Sequence, residues 1–569
     1  MGTDFKALAE LCEKLEASSK RTLMANSVAT FLKRLTADEV GAATSMILGR
    51  ALPKWEDRTL EVSWATLSSV IKRLTNANRK DLADAFSRTG DIGAATKLVF
   101  EASRIRRQTM LVESPLTVLE VRRTFEDIAE TTGYGSRERK ERLLEALLGR
   151  ATPVEVKCMV KIMISEMRTG FHEGLMELSV SKAFNIPHEV VRKAGMLVGD
   201  VAEVAAIAKV NGRGGVSKLH FRIFRPIKLM LAQRAQNVNE ALKEHSGKSA
   251  FEHKLDGARI QIHKSGDEVR IYSRRLTDVT ESLPEIKQQV QEEVEARKII
   301  LEGEVIAVGE DDCPLPFQHL MRRFRRIRHV KKMVARIPVK LYLFDLIYLN
   351  DQSMTDNPYV KRRKKLEKIA GGIPLTKQLI TEKRLEAEEF LKEAIGEGHE
   401  GLMAKRLDGA YTPGVRGKHW LKVKEVLEPL DLVIVAAEYG YGRRHNWLSD
   451  YYLAARDAES GEFVIVGKTF KGLTDKEIIR MTERLKALAV NEERGKVTVN
   501  PCVVVEVAYN EIQKSSKYKG GMALRFARII KIRDDKSAEE ADTIQGVEGI
   551  YEEQFKRKAK PISLSNHVS

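Results

Sequence analysis

The hydrophobic period changes once along this chain, and that change constrains the fold more than any other feature. From residue 1 to about 215, apolar residues recur at helical spacing, as in FKALAELCEKLEA, EVGAATSMILGRAL and RLLEALLGR. From about 250, short alternating runs replace them: ARIQIH, EVRIYSR, KIILEGEVIAV, VKLYLFDLIYL, GLMAKR and HWLKVK, separated by helical stretches such as PEIKQQVQEEVEA. After about 430 strands dominate, in DLVIVAAEYG, DYYLAAR, EFVIVGKTF, CVVVEVAY and ARIIKIR, with one amphipathic helix, DKEIIRMTERLKALAV, between the third and fourth. The pattern predicts a multidomain chain: an all-α N-terminal domain over 1–215, an α+β domain over 216–425, and a C-terminal β domain over 426–569. Five strands with one such helix suit an OB-fold. The segment NGRGG, residues 211–215, predicts the break after the helical part.

Charge narrows the partner. Lys and Arg number 97 against 80 Asp and Glu, a net +17, so an acidic partner is expected. Nucleic acid ranks before membrane, because no basic amphipathic helix with a strong apolar face stands out. No run of about 18 apolar residues is available to cross a bilayer. The N-terminus has acidic residues where a signal peptide has a basic start and an apolar core, so a cytoplasmic protein is expected, without membrane contact and as a monomer. The cysteines include no C-x-x-C pair, which excludes zinc sites of that kind. His172, His253 and His319 each lack a second histidine three or four residues on, so they read as structural or nucleic-acid contacts rather than metal ligands.

The chemistry concentrates around EHKLDGARIQIH, residues 252–263. Asp256-Gly257 reads as a tight hairpin turn that holds Lys254 at a rim, with Ala258, Ile260 and Ile262 on one strand face and Arg259, Gln261 and His263 on the other. A bare K-x-D-G is ordinarily a solvated lysine beside a turn. Two further strands change that. Glu302 and Glu304 share one face of KIILEGEVIAV, and Trp420, Lys422 and Lys424 share one face of HWLKVKEV, opposite Leu421 and Val423. Paired charges on inward faces are costly unless they meet a ligand, a metal or each other, and a triphosphate with a divalent metal satisfies both sets. The G-x-x-x-x-G-K-[ST] pattern is absent, so this is no P-loop. What remains is covalent nucleotidyl transfer with Lys254 as nucleophile. Keeping an ordinary lysine neutral at pH 7 costs about 4.6 kcal/mol, so Arg259, Arg274, Lys422, Lys424 and a metal, with partial burial, are expected to lower its pKa.

EHKLDGARIQIH, IYSR, LEGEVIAVG, LYLFDLIYL, EGLMAKR, WLKVK and ALRFARIIKIRDDK, in this order, resemble the nucleotidyltransferase motifs of ATP-dependent DNA ligases of the archaeal and eukaryotic replicative type. The helical stretch TTGYGSRERKERLLEALLGRATPVEVKCMVKIMISEMRTGFHEG resembles that family's DNA-binding domain. The resemblance implies sealing of nicks in duplex DNA with ATP as adenylyl donor, in replication, repair and recombination, with Mg²⁺ as metal and Mn²⁺ as the alternative. It implies that Lys254 forms the lysyl-AMP, that Glu252 and the segment ending at Lys228 border the adenine, and that Phe344 stacks on it. Arg259 and Arg274 are implied on the ribose and phosphate side, Glu304 at the ribose and metal, Glu400 at the metal, and Arg416, Lys422 and Lys424 at phosphates. On the OB domain, Arg525, Arg528, Lys531, Arg533 and Asp535 are implied to meet the triphosphate during self-adenylation.

Weaker signals concern partners. RRFRRIRHVKK, residues 322–332, holds seven Lys or Arg in eleven positions. It reads either as a solvated basic arm or, through Arg322, Arg323, Arg325 and Arg326, as a phosphate contact without sequence preference. Gly133, Gly135 and Ser136 open a helix whose free amides suit a DNA phosphate, or form an ordinary loop with Ser136 as N-cap. QTMLVESPLTV, residues 108–118, lies where archaeal relatives carry a sliding-clamp motif, which makes Gln108 and Leu111 the clamp contacts, yet Leu111 and Val112 stand where an aromatic pair is expected. An RNA ligase or capping guanylyltransferase shares the lysine chemistry but not the long helical N-terminal part. A DNA-binding module without catalysis is disfavoured because every catalytic position is filled.

Overall fold

Thr152-Pro153-Val154-Glu155 shows how the N-terminal helices are punctuated. Thr152 Oγ1 accepts from the Glu155 amide (3.4 Å) while the Glu155 carboxylate accepts from the Thr152 amide (2.7 Å), and Pro153 fills the first helical position, where no amide partner is needed. The same reciprocal cap opens Val118–Glu130 at Thr117 and Glu120. Between such caps the apolar stripes of the helices from Phe5–Glu16 to Val201–Ser217 meet in one core that includes Phe5, Leu32, Phe125, Leu148 and Met176. The computed structural model describes residues 2–54, 56, 58–103, 115–309, 313–324, 330–424, 427–493 and 495–555. The chain divides into two compact units, 1–228 and 229–569. The break expected at 211–215 is a kink rather than a helix end. Val201–Ser217 continues through it, leaving helical geometry at Gly212, whose φ of 55° suits glycine.

The second unit starts with two five-stranded sheets. One runs in the order Leu231–Arg234, Arg416–Lys424, Gly401–Lys405, Ser249–His253, Gln378–Thr381. Its apolar face, with Phe251, Leu402, Ala404, Leu421 and Val423, packs on the helices Val238–Glu244 and Arg384–Gly396. The other runs Glu268–Ser273, Ala258–Ser265, Lys298–Ala307, Val339–Leu349, Gln352–Ser353, and buries Ile260, Ile262, Leu301 and Leu343 against the helix Pro284–Glu293. Gln261 and His263 on its opposite face are buried as well, so this strand is covered on both sides.

The strand-rich remainder forms a six-stranded sheet and a two-stranded one, Glu511–Lys514 with Met522–Arg525. Leu430–Tyr439 lies between Leu448–Arg456 and Lys496–Ala508, and Lys496–Ala508 also pairs with Arg528–Ile532. The helix Asp475–Ala487 covers it through Met481 and Leu485. The strand Ala489–Glu493 was not anticipated, since every residue in it is exposed and no alternation marks it. Among the described residues no helix is long and apolar enough to cross a membrane.

Candidate active site

Lys254 sits where the chain leaves one sheet of the second unit for the other. Ser249–His253 pairs with Gly401–Lys405 and Gln378–Thr381, whereas Ala258–Ser265 pairs with Glu268–Ser273 and Lys298–Ala307. The Asp-Gly dipeptide is therefore a crossover and not the hairpin turn that it suggests, because the strands it joins lie in different sheets. Close approach makes glycine necessary there: a Cβ on Gly257 would lie 2.3 Å from the Val305 carbonyl oxygen. The Lys254 amide donates to the Gly401 carbonyl (2.8 Å) and the Glu400 amide to the Lys254 carbonyl (2.9 Å), which fixes Lys254 beside Glu400.

Charge in the cleft is arranged around that pair. Lys254 Nζ and Lys424 Nζ both reach Oε2 of Glu400, Lys424 at 2.5 Å. Burial would raise the Glu400 carboxyl, but the Lys254 and Lys424 ammonium groups overcome it and hold the pKa down to about 2. Glu304 behaves oppositely: burial pushes it up to about 8 against the pull of Lys254 and Arg259, with Glu400 and Asp256 adding repulsion. For Lys254, burial lowers the pKa but the charges of Glu400, Glu304 and Asp256 prevail and raise it. The lowering expected from neighbouring cations is thus reversed, because the charges of the nearby carboxylates outweigh burial. Lys422 is lowered by burial and then by Lys424, Lys254 and Arg416.

A second cluster lies on the same sheets. Arg259 donates to Glu302 Oε2 (2.7 Å) and to the Met230 carbonyl (2.7 Å), and its guanidinium is 5.4 Å from the centre of the Phe344 ring and 5.1 Å from that of Trp420. Tyr411 donates to the other oxygen of Glu302 (2.6 Å). Glu252 is fully engaged: it accepts from Tyr359 and from Thr376 (2.9 Å), and is paired with Lys405 (2.7 Å). Lys405, buried among the rings of Phe344, Tyr359 and Trp420, was not singled out by sequence. Alternation contains the signal, since Leu402 and Ala404 face the helices and Lys405 must face away from them. Asp345 and Arg362 were also missed. They form a fully buried bidentate pair at 2.7 and 3.0 Å.

Other expected site residues have separate settings. Lys228, in the first unit, is ion-paired with Glu173, and burial followed by the charges of Lys54 and Arg50 lowers it to about 8. Arg274 and Arg416 are exposed. Arg525 pairs with Glu511 (3.4 Å) and lies 5.4 Å from the Phe317 ring centre. Arg528 and Lys531 are exposed and Ile529 between them is buried, while Arg533 is held by Asp535 (2.7 Å) and Asp431 (3.1 Å). Gly133 and Gly135 have φ of 78° and 71°, and Gly135 rather than Ser136 is the N-cap of Ser136–Arg150. Arg322 is exposed, but Arg323 is buried, donates to the Ile337 carbonyl (2.9 Å) and pairs with Glu285. Gln108, Leu111, Arg325 and Arg326 lie outside the described residues.

A lysine where two sheets meet, with carboxylates and further lysines around it, suits nucleotidyl transfer, and comparison with known proteins gives the class. Three family models match in chain order. DNA ligase N terminus covers residues 4–179, ATP dependent DNA ligase domain 229–424, and ATP dependent DNA ligase C terminal region 444–536. DNA ligase 1 of Korarchaeum cryptofilum is 47% identical over 97% of this chain and 99% of its own length. The DNA ligase of Thermococcus onnurineus is 43% identical over 98% of this chain and 99% of its own. A solved structure described as Pmar-Lig_PreS3, 18% identical, shares the fold with a TM-score of 0.58 over 92% of this chain and 99% of that one. The chain belongs to the ATP-dependent DNA ligase family.

Proposed function

We propose that Lys254 is the residue that becomes adenylated, and that the enzyme uses it to seal nicks in duplex DNA during replication and repair. The observation that carries this is the cluster of Lys254, Lys424, Glu400 and Glu304 at the crossover between the sheets. Attack requires Nζ to leave Glu400 and release a proton to solvent, which reaches its partly exposed side chain, and Lys424 keeps Glu400 neutralised as it does so. The Nζ–Pα bond then forms as the bond from Pα to the bridging oxygen breaks, and pyrophosphate departs. Lys422 and Lys424 stabilise its charge. A 5′-phosphate oxygen at the nick next displaces the lysine and takes the AMP, and the 3′-hydroxyl finally displaces AMP to form the phosphodiester.

Glu304 and Glu400 fit a divalent cation: two half-buried carboxylates stand close enough to repel each other, and their oxygens suit a hard ion such as Mg²⁺. Such an ion would neutralise phosphate charge. Phe344, packed edge-on against buried Trp420 with Arg259 over its ring, is the side chain that meets adenine.

The test is incubation with ATP, GTP and ADP, each labelled in its α-phosphate, followed by peptide mapping. ATP is expected to label the peptide containing Lys254. Label elsewhere, or none in a preparation that seals nicks, overturns the reading. For DNA, exposed Arg322 is the phosphate contact and buried Arg323 a structural one. Arg322→Ala should reduce the slope of log affinity against log salt for nicked duplex by about 0.9. An unchanged slope assigns Arg322 to a solvated arm.

A further inference from the structure

Behind the adenylation pair lies a second cluster that nucleotidyl transfer does not use. His253 directly precedes Lys254, and His399 directly precedes Glu400. The His253 ring packs against Phe390 of the helix Arg384–Gly396, tilted by 39° with centroids 4.5 Å apart. The two imidazole rings are 5.5 Å apart. Glu397, just past that helix, completes the group: its Oε2 is 3.2 Å from His253 Nδ1 and 3.8 Å from His399 Nε2. All three ligand atoms lie within 4.8 Å of one another.

These spacings fit one ion. Bonds of about 2.0 to 2.1 Å in tetrahedral array hold ligand atoms roughly 3.3 Å apart, so the cluster needs only small side-chain shifts to close on a metal. Two imidazoles and one carboxylate select zinc-like transition metals over magnesium, which prefers oxygen alone. Lys377 lies 3.3 Å from the opposite oxygen, Oε1 of Glu397, and so does not compete for the same lone pairs. His253 is buried while Glu397 is 45% exposed, which leaves a solvent side for entry and for a water as fourth ligand.

We propose that His253, Glu397 and His399 bind a divalent transition metal of the zinc class, separate from the ion at Glu304 and Glu400. Bound there, it ties the end of Ser249–His253 to the approach of Gly401–Lys405 and to the helix packed on them. Those are the segments whose backbone bonds set Lys254 against Glu400. The sequence separation of the two histidines hid the site, because short-range spacing rules see only neighbours.

The test uses the full chain stripped with chelator, titrated with Co²⁺ in excess Mg²⁺ and followed by visible absorption and equilibrium dialysis. The expected result is one tightly held Co²⁺ per chain with the intense visible bands of low-coordinate cobalt, displaced by Zn²⁺. His253→Ala with His399→Ala should abolish the bands. Glu397→Gln, which leaves both rings in place and guards against a folding artefact, should weaken binding at least tenfold. Glu400→Gln and Glu304→Gln should retain them. Absence of saturable cobalt binding, bands that survive the double histidine change, or bands lost on Glu400→Gln would each overturn the site.

Discussion

Lys254→Ala will take up no label from α-labelled ATP, a loss of at least ~10³-fold or about 4 kcal/mol in the adenylation barrier, while still joining a nick that already carries AMP on its 5′-phosphate. The asymmetry follows from the chemistry, since only the first two transfers use the amine and the third uses the DNA 3′-hydroxyl. The fold should survive, because Glu400 keeps Lys424 at 2.5 Å as its counter-charge. Lys254→Arg sharpens the experiment: a guanidinium retains the positive charge beside Glu400 but is not deprotonated near neutral pH, so labelling should vanish there too. Gel detection of the covalent adenylate and a ligation assay on pre-adenylated nicks check both halves. Labelling retained by either variant would remove Lys254 from its role.

How much of this was legible in the sequence depended on whether periodicity carried the information. The strand faces of Arg416–Lys424 followed directly from alternation, with Leu421 and Val423 turned to the helices and Lys424 reaching Glu400. The inward acids Glu302 and Glu304 were found in the same way, but their different fates were not. Burial raises both, but Glu302 is bonded by Arg259 and Tyr411, whereas Glu304 is pushed up to about 8. Arg259 comes from another strand and Tyr411 from the loop before Arg416–Lys424, and no local pattern encodes either. Asp256-Gly257 misled for a related reason: a dipeptide reports backbone conformation but not which strands pair on either side of it. Arg323 shows the limit of charge runs. Its neighbour Arg322 is solvated, yet helical geometry turns Arg323 inward to the Ile337 carbonyl.

The pair that sequence reasoning missed altogether supports the second large effect. Asp345→Ala should destabilise the second unit by about 3 to 5 kcal/mol, because it leaves the Arg362 guanidinium buried without a counter-charge. Arg362 also donates to the carbonyls of Asn357 (2.7 Å) and Gly409 (3.0 Å), so it cannot withdraw to solvent without giving up those bonds as well. The damage reaches the cleft by two routes: Asp345 adjoins Phe344 in Val339–Leu349, and its charge helps to keep buried Lys405 protonated beside Glu252. Denaturant unfolding should therefore show a lower midpoint at unchanged slope, with weaker ATP binding in the folded fraction. Replacing both partners, Asp345→Leu with Arg362→Leu, removes the orphaned charge and should recover part of the stability. A loss below about 1 kcal/mol in the single variant would mean that water reaches the guanidinium and that the pair is not the anchor its burial implies.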